Sequence, residues 1–301
     1  MAILVDKNTV ALVQGITGKE GARAAKDMAA YGTRVVAGVT PGKGGMATEE
    51  GVPVFNSVKE AKEAFPEINA TLITVPSAFA ADAALEAMGN NIPLVDVFTE
   101  KIPVAFVSRM IRFAQMTGTR LVGPSSVGIL SPGKGKIGSI GSGDLAKRVF
   151  SEGPVGVISK SGGMTAELSR ILTDNGLGQS TAVGIGGDIL AGSDFVDIAL
   201  LFEQDADTKA IVIFGEVGGT YEEQLAGAIQ EKKITKPVFA VIAGRFSETL
   251  PQETVLGHAG AIVQKGRGSA SSKIRTLKDA GAWIADTADQ IPALIKEHVS
   301  L

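Results

Sequence analysis

The 301-residue chain has no cysteine. Disulfides, cysteine-ligated zinc, iron–sulfur clusters and a catalytic thiol are therefore excluded. Net charge is small: 29 Lys+Arg against 32 Asp+Glu give −3. No Lys/Arg cluster stands out of the kind that binding a phosphate backbone requires, so no nucleic-acid partner is expected. Histidine is scarce, with 2 in the chain. Long apolar runs are lacking too. Ala210–Phe214 and Val238–Ala243 are among the longest, far below the ~18 residues of a membrane span. The N-terminal apolar run meets Asp6 and Lys7 early, which is not a signal-peptide pattern. A soluble, cytoplasmic protein without a membrane partner is the expectation.

What is present is a core and much glycine. Apolar residues make up 45% of the chain, enough to exclude disorder. The length fits one large or two medium domains. Glycine numbers 38, about 13% where ~7% is usual. The glycines form no repeat and sit in short clusters after apolar runs. There they permit positive φ and close approach of backbone to a ligand.

Apolar runs alternate with amphipathic segments. Val10–Val13, Arg34–Val39, Thr71–Val75, Leu94–Phe98 and Leu121–Val122 read as strands. A segment after Gly21 to about Tyr31, and those at 57–65, 78–88 and 104–116, read as the helices between them. Residues 131–152 break the rhythm with repeated Pro and Gly. It restarts with strands at 155–159, 181–185, 210–214 and 238–243, and helices at 163–174, 195–202, 221–230, 269–280 and 288–298. The pattern predicts an α/β chain with parallel sheets covered on both faces. The expected division is residues 1–152 and 153–301, two doubly wound domains.

The first βα turn carries Gly15-x-x-Gly18-x-x-Gly21. Unhindered N–H groups at a helix start bind phosphate. After the second strand an NAD enzyme places an acidic residue for the ribose hydroxyls. Here that place holds Thr40–Gly45 with Lys43. A phosphate-bearing nucleotide cofactor other than NAD is expected. Turns at Val75-Pro76-Ser77, Thr99-Glu100 and Gly123–Ser126 follow other strands of this sheet. They would line one crevice beyond the strand ends. In the second half, Ser159-Lys160-Ser161-Gly162-Gly163 runs from strand to helix start. It reads either as an anion site or as a helix capped by Ser161. His258 lies between glycines after a strand and is a candidate nucleophile or base. Glu216, at another strand end, is a candidate to orient that imidazole or hold its proton.

Six segments occur in a familiar order: Thr40–Gly45, Gly123–Gly128, Ser159–Met164, Gly184–Asp188, Glu216–Gly219 and Gly257–Ala261. With them the chain resembles, over nearly its whole length, the succinyl-CoA synthetase α-subunit family, whose module also occurs in ATP-citrate lyase and citryl-CoA synthetase. The resemblance implies a Rossmann-like CoA-binding domain followed by a flavodoxin-like domain. It implies phosphorylation of His258 by a nucleotide, transfer to a carboxylate, and displacement by coenzyme A to a thioester. Glu216 would pair with His258. Gly15, Thr17, Gly18, Lys19, Glu20, Gly21 and Lys43 would contact CoA, with Val75, Pro76, Ser77, Thr99 and Glu100. Ser125, Ser126, Ser159, Ser161, Gly162 and Gly163 would serve phosphate or acid.

ATP or GTP with Mg2+ is expected on a β subunit carrying an ATP-grasp domain, in an αβ or α2β2 complex. Succinate is the first expectation for the small carboxylic acid. Ser161-Gly162-Gly163-Met164 is the form seen in ATP-citrate lyase-like chains, and Ala166 leaves room for a larger acid, so citrate is the alternative. An alternative of another class is a CoA-binding module without catalysis.

Overall fold

The structure is a computed structural model that describes residues 2–143, 145–249, 260 and 268–300. The first sheet has six parallel strands: β1 (Val10–Gln14), β2 (Arg34–Val39), β3 (Val54–Phe55), β4 (Ala70–Ile73), β5 (Leu94–Val97) and β6 (Arg120–Val122). Their order is β3-β2-β1-β4-β5-β6, that of a dinucleotide-binding fold. Helices α1 (Lys19–Tyr31), α2 (Val58–Ala64), α3 (Ser77–Gly89) and α4 (Val104–Thr117) make the crossovers. β1 is buried along its whole length because both of its faces are covered. Ala11 and Val13 share a cluster with Ala24 and Met28 of α1. Val10 and Leu12 share another with Ala84 of α3 and Met110 of α4. Each helix ends for a local reason. Gly32 closes α1 in the left-handed region, its N–H donating to the Ala29 carbonyl, and Gly118 closes α4 in the same way.

The second sheet has seven strands: β7 (Gly128–Ser131), β8 (Gly135–Gly138), β9 (Glu152–Ser159), β10 (Gln179–Gly184), β11 (Ala210–Glu216), β12 (Val238–Ala243) and β13 (Trp283–Ala285). The order is β13-β12-β11-β9-β10-β7-β8. The five parallel strands β9 to β13 have the flavodoxin arrangement, as expected. They are joined by α6 (Gly162–Asp174), α7 (Phe195–Gln204), α8 (Tyr221–Gln230) and α9 (Ala270–Asp279). Two further helices are α5 (Leu145–Val149) and α10 (Ile291–His298).

The β7–β8 hairpin differs from the sequence reading. Residues 131–138 read as an irregular break, yet β7 pairs antiparallel with β10 and with β8. The hairpin thus extends the second sheet although it precedes Glu152. Between the sheets, the chain crosses from β6 to β7 within residues 123–127. The hairpin also ties the two lobes. Thr33 beyond α1 donates its hydroxyl to the Lys136 carbonyl at 2.7 Å and accepts the Lys136 N–H at 2.9 Å. Farther along, the Ser193 hydroxyl donates to the Leu121 carbonyl at 2.7 Å, and Arg120 pairs with Asp197 at 3.1 Å.

Candidate functional site

In an open parallel sheet, a crevice forms beyond the carboxyl ends of two strands whose crossovers leave in opposite directions. In the first sheet those strands are β1 and β4. A cavity of about 700 Å3 opens there, lined by Gly15, Thr17, Gly18, Thr40, Val75 and Pro76 among others. Gly15 has φ +85, a region that disfavours any side chain. Gly21 has no room for a Cβ, which would meet the Gly15 carbonyl oxygen and the Thr74 hydroxyl. The turn therefore presses the start of α1 against the sheet, with Gly18 as a cap that contributes no side-chain bond.

Several polar groups stand at this cleft. Lys43 Nζ donates to Thr17 Oγ1 at 3.2 Å, and Thr17 Oγ1 bonds Thr40 Oγ1 at 3.2 Å. Lys19 and Glu20 open α1, with Glu20 paired to Arg23 at 2.6 Å. Val39, Pro41 and an exposed Phe79 give the lining apolar surface, with Asp82 and Glu86 of α3 also lining it. Ser77 begins α3. Thr99 buttresses the cleft from behind, its hydroxyl donating to the Val75 carbonyl at 2.6 Å. Glu100 lines a second cavity instead. Sequence reasoning missed Gln14 and Phe79 as lining residues, since nothing in a strand end or a helix face marks them.

The second cavity, of about 260 Å3, lies between loops of both sheets. Glu100, Lys101, Ser125 and Ser126 come from the first lobe and its exit. Lys160, Gly162, Gly187 and Asp188 come from the second. Ser125 Oγ donates to Asp188 Oδ2 at 2.9 Å. Ser126 is buried, its hydroxyl donating to the Gly184 carbonyl at 2.8 Å and accepting the Gly128 N–H at 3.0 Å. Lys101 and Ser125 both occupy the left-handed region, with φ 59 and 58. Non-glycine residues held there are characteristic of functional loops.

At the switch point of the second sheet, β9 ends in Ser159 and β11 in Glu216. Ser159 Oγ donates to the Ser161 carbonyl at 2.7 Å and accepts the Ser161 N–H at 3.1 Å. Ser161 caps α6, accepting the Met164 N–H at 3.5 Å. Gly162 and Gly163 follow as its first residues, and a Cβ on Gly163 would meet nothing. Glu216 is buried, and its backbone N–H donates to Glu222 Oε1 at 3.1 Å. Glu222, inside α8, is wholly buried. Its carboxylate pairs with Lys273 of α9 and, at 3.5 Å, with Lys160. Asp188 stands in one of the quoted sequence segments without a role assigned to it. Lys160, Glu222 and Lys273 carried no signal, because 51 and 62 residues separate the partners.

His258 lies outside the described residues. Gly260, which is described, donates its backbone N–H to the Gly187 carbonyl at 3.1 Å, beside the second cavity.

Under the sheets' junction, Asp96 of β5 is fully buried and its carboxyl oxygens have no hydrogen-bond partner among the described residues. Burial pushes its pKa up to about 7, and neighbouring Ser126 offsets part of that rise.

Residues 6–101 match the family model for the CoA binding domain, and residues 158–283 match that for CoA-ligase. The chain is 48% identical to the succinate–CoA ligase [ADP-forming] subunit alpha of Aquifex aeolicus, covering 100% of this chain and 94% of that one. It is 46% identical to the subunit of the same name from Methanothermobacter thermautotrophicus, covering 99% and 98%. Among solved structures it resembles ATP citrate lyase from Methanothrix soehngenii in complex with citrate and coenzyme A, with a TM-score of 0.91 and 28% identity. That match covers 98% of this chain and 50% of the other, so the chain spans half the length of that relative.

Proposed function

The chain belongs to the succinate–CoA ligase alpha-subunit family, and from that membership we propose that it is the α subunit of a nucleoside-diphosphate-forming acyl-CoA synthetase. It converts succinate, CoA and a nucleoside triphosphate to succinyl-CoA, the diphosphate and phosphate. The observation that carries this reading is the pairing of two switch-point sites on one chain. One is a glycine-floored cleft with Lys43 at its polar edge. The other is a smaller cavity, lined from both lobes, beside the N-terminus of α6.

Coenzyme A binds as a substrate in the first cleft. Its phosphates meet Lys43, Thr17 and the N–H groups at the start of α1, and its apolar parts lie against Val75 and Pro76. His258 takes the phosphoryl group from the nucleotide. The N–P bond then breaks as a substrate carboxylate oxygen attacks phosphorus. The CoA thiolate attacks the acyl carbon next, and phosphate leaves. Splitting the reaction in this way replaces one difficult step with easier ones. Glu216 orients the His258 imidazole. Ser161, Gly162 and Gly163 offer donors to the phosphoryl group at the positive end of α6, and backbone and hydroxyl bonds hold it more than the dipole does, which adds only ~0.3–2 kcal/mol. Ser125 and Ser126 form the wall nearest the acid, and Ser159 fixes the turn. Nucleotide and Mg2+ belong to a β subunit with an ATP-grasp domain, in an αβ or α2β2 assembly in the cytoplasm.

The test uses the chain assembled with its β partner. Labelled nucleoside triphosphate should place acid-labile phosphate on the chain, and succinate with CoA should discharge it as a thioester forms. The His258→Ala complex should take no label. Retained thioester synthesis in that variant would remove the phosphohistidine step. Faster discharge by citrate than by succinate would reassign the acid.

A further inference from the structure

Lys160 is one of the few buried cations among the described residues, at 3% exposure. Its neighbours leave it poorly matched. The Glu222 carboxylate is shared between two ammonium groups. Lys273 contacts it closely and also donates to the Gly218 carbonyl at 2.8 Å and faces Glu223 at 3.5 Å. Lys160 has the long contact of 3.5 Å to Glu222 and the face of Tyr221 at 5.5 Å. An ammonium has three donors, and burying it is costly unless they are satisfied. Among the described residues a long shared ion pair and a ring face are what the ammonium meets, and they do not satisfy three donors. Lys160 lines the second cavity together with Gly162. After the cap Ser161 begins α6, a helix of 13 residues that opens with Gly162 and Gly163, and a Cβ on Gly163 would meet nothing within 4 Å. A buried cation and a helix N-terminus meeting at one cavity together favour an anion.

We infer that Lys160 is a catalytic residue, whose ammonium supplies the missing counter-charge to the phosphoryl group held in the second cavity. The inference rests on the functional reading above and adds a residue to it. Lys160 moves no proton. Its fixed positive charge offsets the charge on the phosphoryl oxygens as the bond to nitrogen breaks and the bond to the carboxylate forms. Losing one aimed donor of this kind slows turnover about 100-fold or more.

The test compares Lys160→Met and Lys160→Arg in the assembled complex. Lys160→Met should label from nucleoside triphosphate and make thioester about 100-fold more slowly, with CoA affinity unchanged. Lys160→Arg keeps the charge and should recover most of the rate. A residue that only fills space would lower Tm while leaving those rates within twofold, and that result would overturn the inference. Equal losses in Met and Arg variants would overturn it too. Should the Met variant fail to fold, Lys160→Gln keeps a donor toward Glu222 without the charge and reads the same rates. Phosphorus NMR of inorganic phosphate with the complex gives an independent readout. Broadening in the wild type that vanishes in the variant supports Lys160 even where no label is taken from nucleotide, an outcome that would sink the functional reading alone. Equal broadening in both removes Lys160 from the anion site.

Discussion

Glu222 holds Glu216 by its backbone: the Glu216 N–H donates to the Glu222 carboxylate at 3.1 Å, and both residues are buried. The same carboxylate neutralises Lys273, so one side chain fixes the end of β11 and the start of α9. Replacing Glu222 by Leu leaves two ammonium groups buried without it. Breaking a buried pair on one side is expected to cost about 3–5 kcal/mol. Adding Lys273→Met should recover a large part, because the pair is then exchanged for apolar packing. Urea unfolding of both variants measures this, and equal stability of single and double variants would refute the pairing argument.

Gly21 lies against Gly15 with no space for a methyl group, and a Cβ would also come 2.7 Å from Thr74 Oγ1. Gly21→Ala should push α1 off the turn, destabilise the first lobe by about 1–3 kcal/mol, and weaken CoA binding about tenfold or more, which is ~1.4 kcal/mol. Gly227 inside α8 is the contrast, because a Cβ there meets nothing within 4 Å. Gly227→Ala should stabilise by about 0.5–1 kcal/mol with CoA affinity unchanged. Calorimetry and thermal unfolding of the two variants separate the effects.

Asp96 ties stability to pH. Its carboxyl is buried, and burial raises its pKa from 3.8 to about 7. The folded protein therefore binds a proton that the unfolded chain releases between those values. The contribution is fully present below about pH 4 and is lost as pH rises to about 7, by an amount on the order of 4 kcal/mol. Asp96→Asn removes the proton linkage. It should be more stable than the wild type at pH 8, with a flatter stability profile between pH 4 and 7. Urea unfolding across that range checks the sign. A wild-type stability that rises with pH relative to Asp96→Asn would contradict it.

The repeating βα units were legible because each buried strand is a short apolar run and each helix carries a one-sided apolar pattern. Parallel sheets followed from that alternation, whereas the Rossmann-like and flavodoxin-like arrangements were implied by the family resemblance. The β7–β8 hairpin was not legible. Gly128, Gly135 and Gly138 stand at its strand ends, and glycine there reads as loop. β13 has only three residues, too few for a period. The tight turn before α1 was legible through its glycine spacing, and the α6 cap through Ser161. Glu100 read as part of the first cleft because it follows Thr99 at a strand end. In the fold Thr99 supports one cavity and Glu100 lines the other. The Lys160–Glu222–Lys273 cluster depends on three elements packing together, which no local pattern encodes.

Coenzyme A binding by this chain is the premise on which every later step depends, and calorimetric titration tests it directly. The chain is titrated with CoA and, in parallel, with NAD. The expected result is saturable CoA binding with no NAD binding, since Thr40–Gly45 places Lys43 where a ribose-binding carboxylate would stand. Binding of NAD without CoA would contradict the ligase reading and return His258 to the role of a proton-transfer residue.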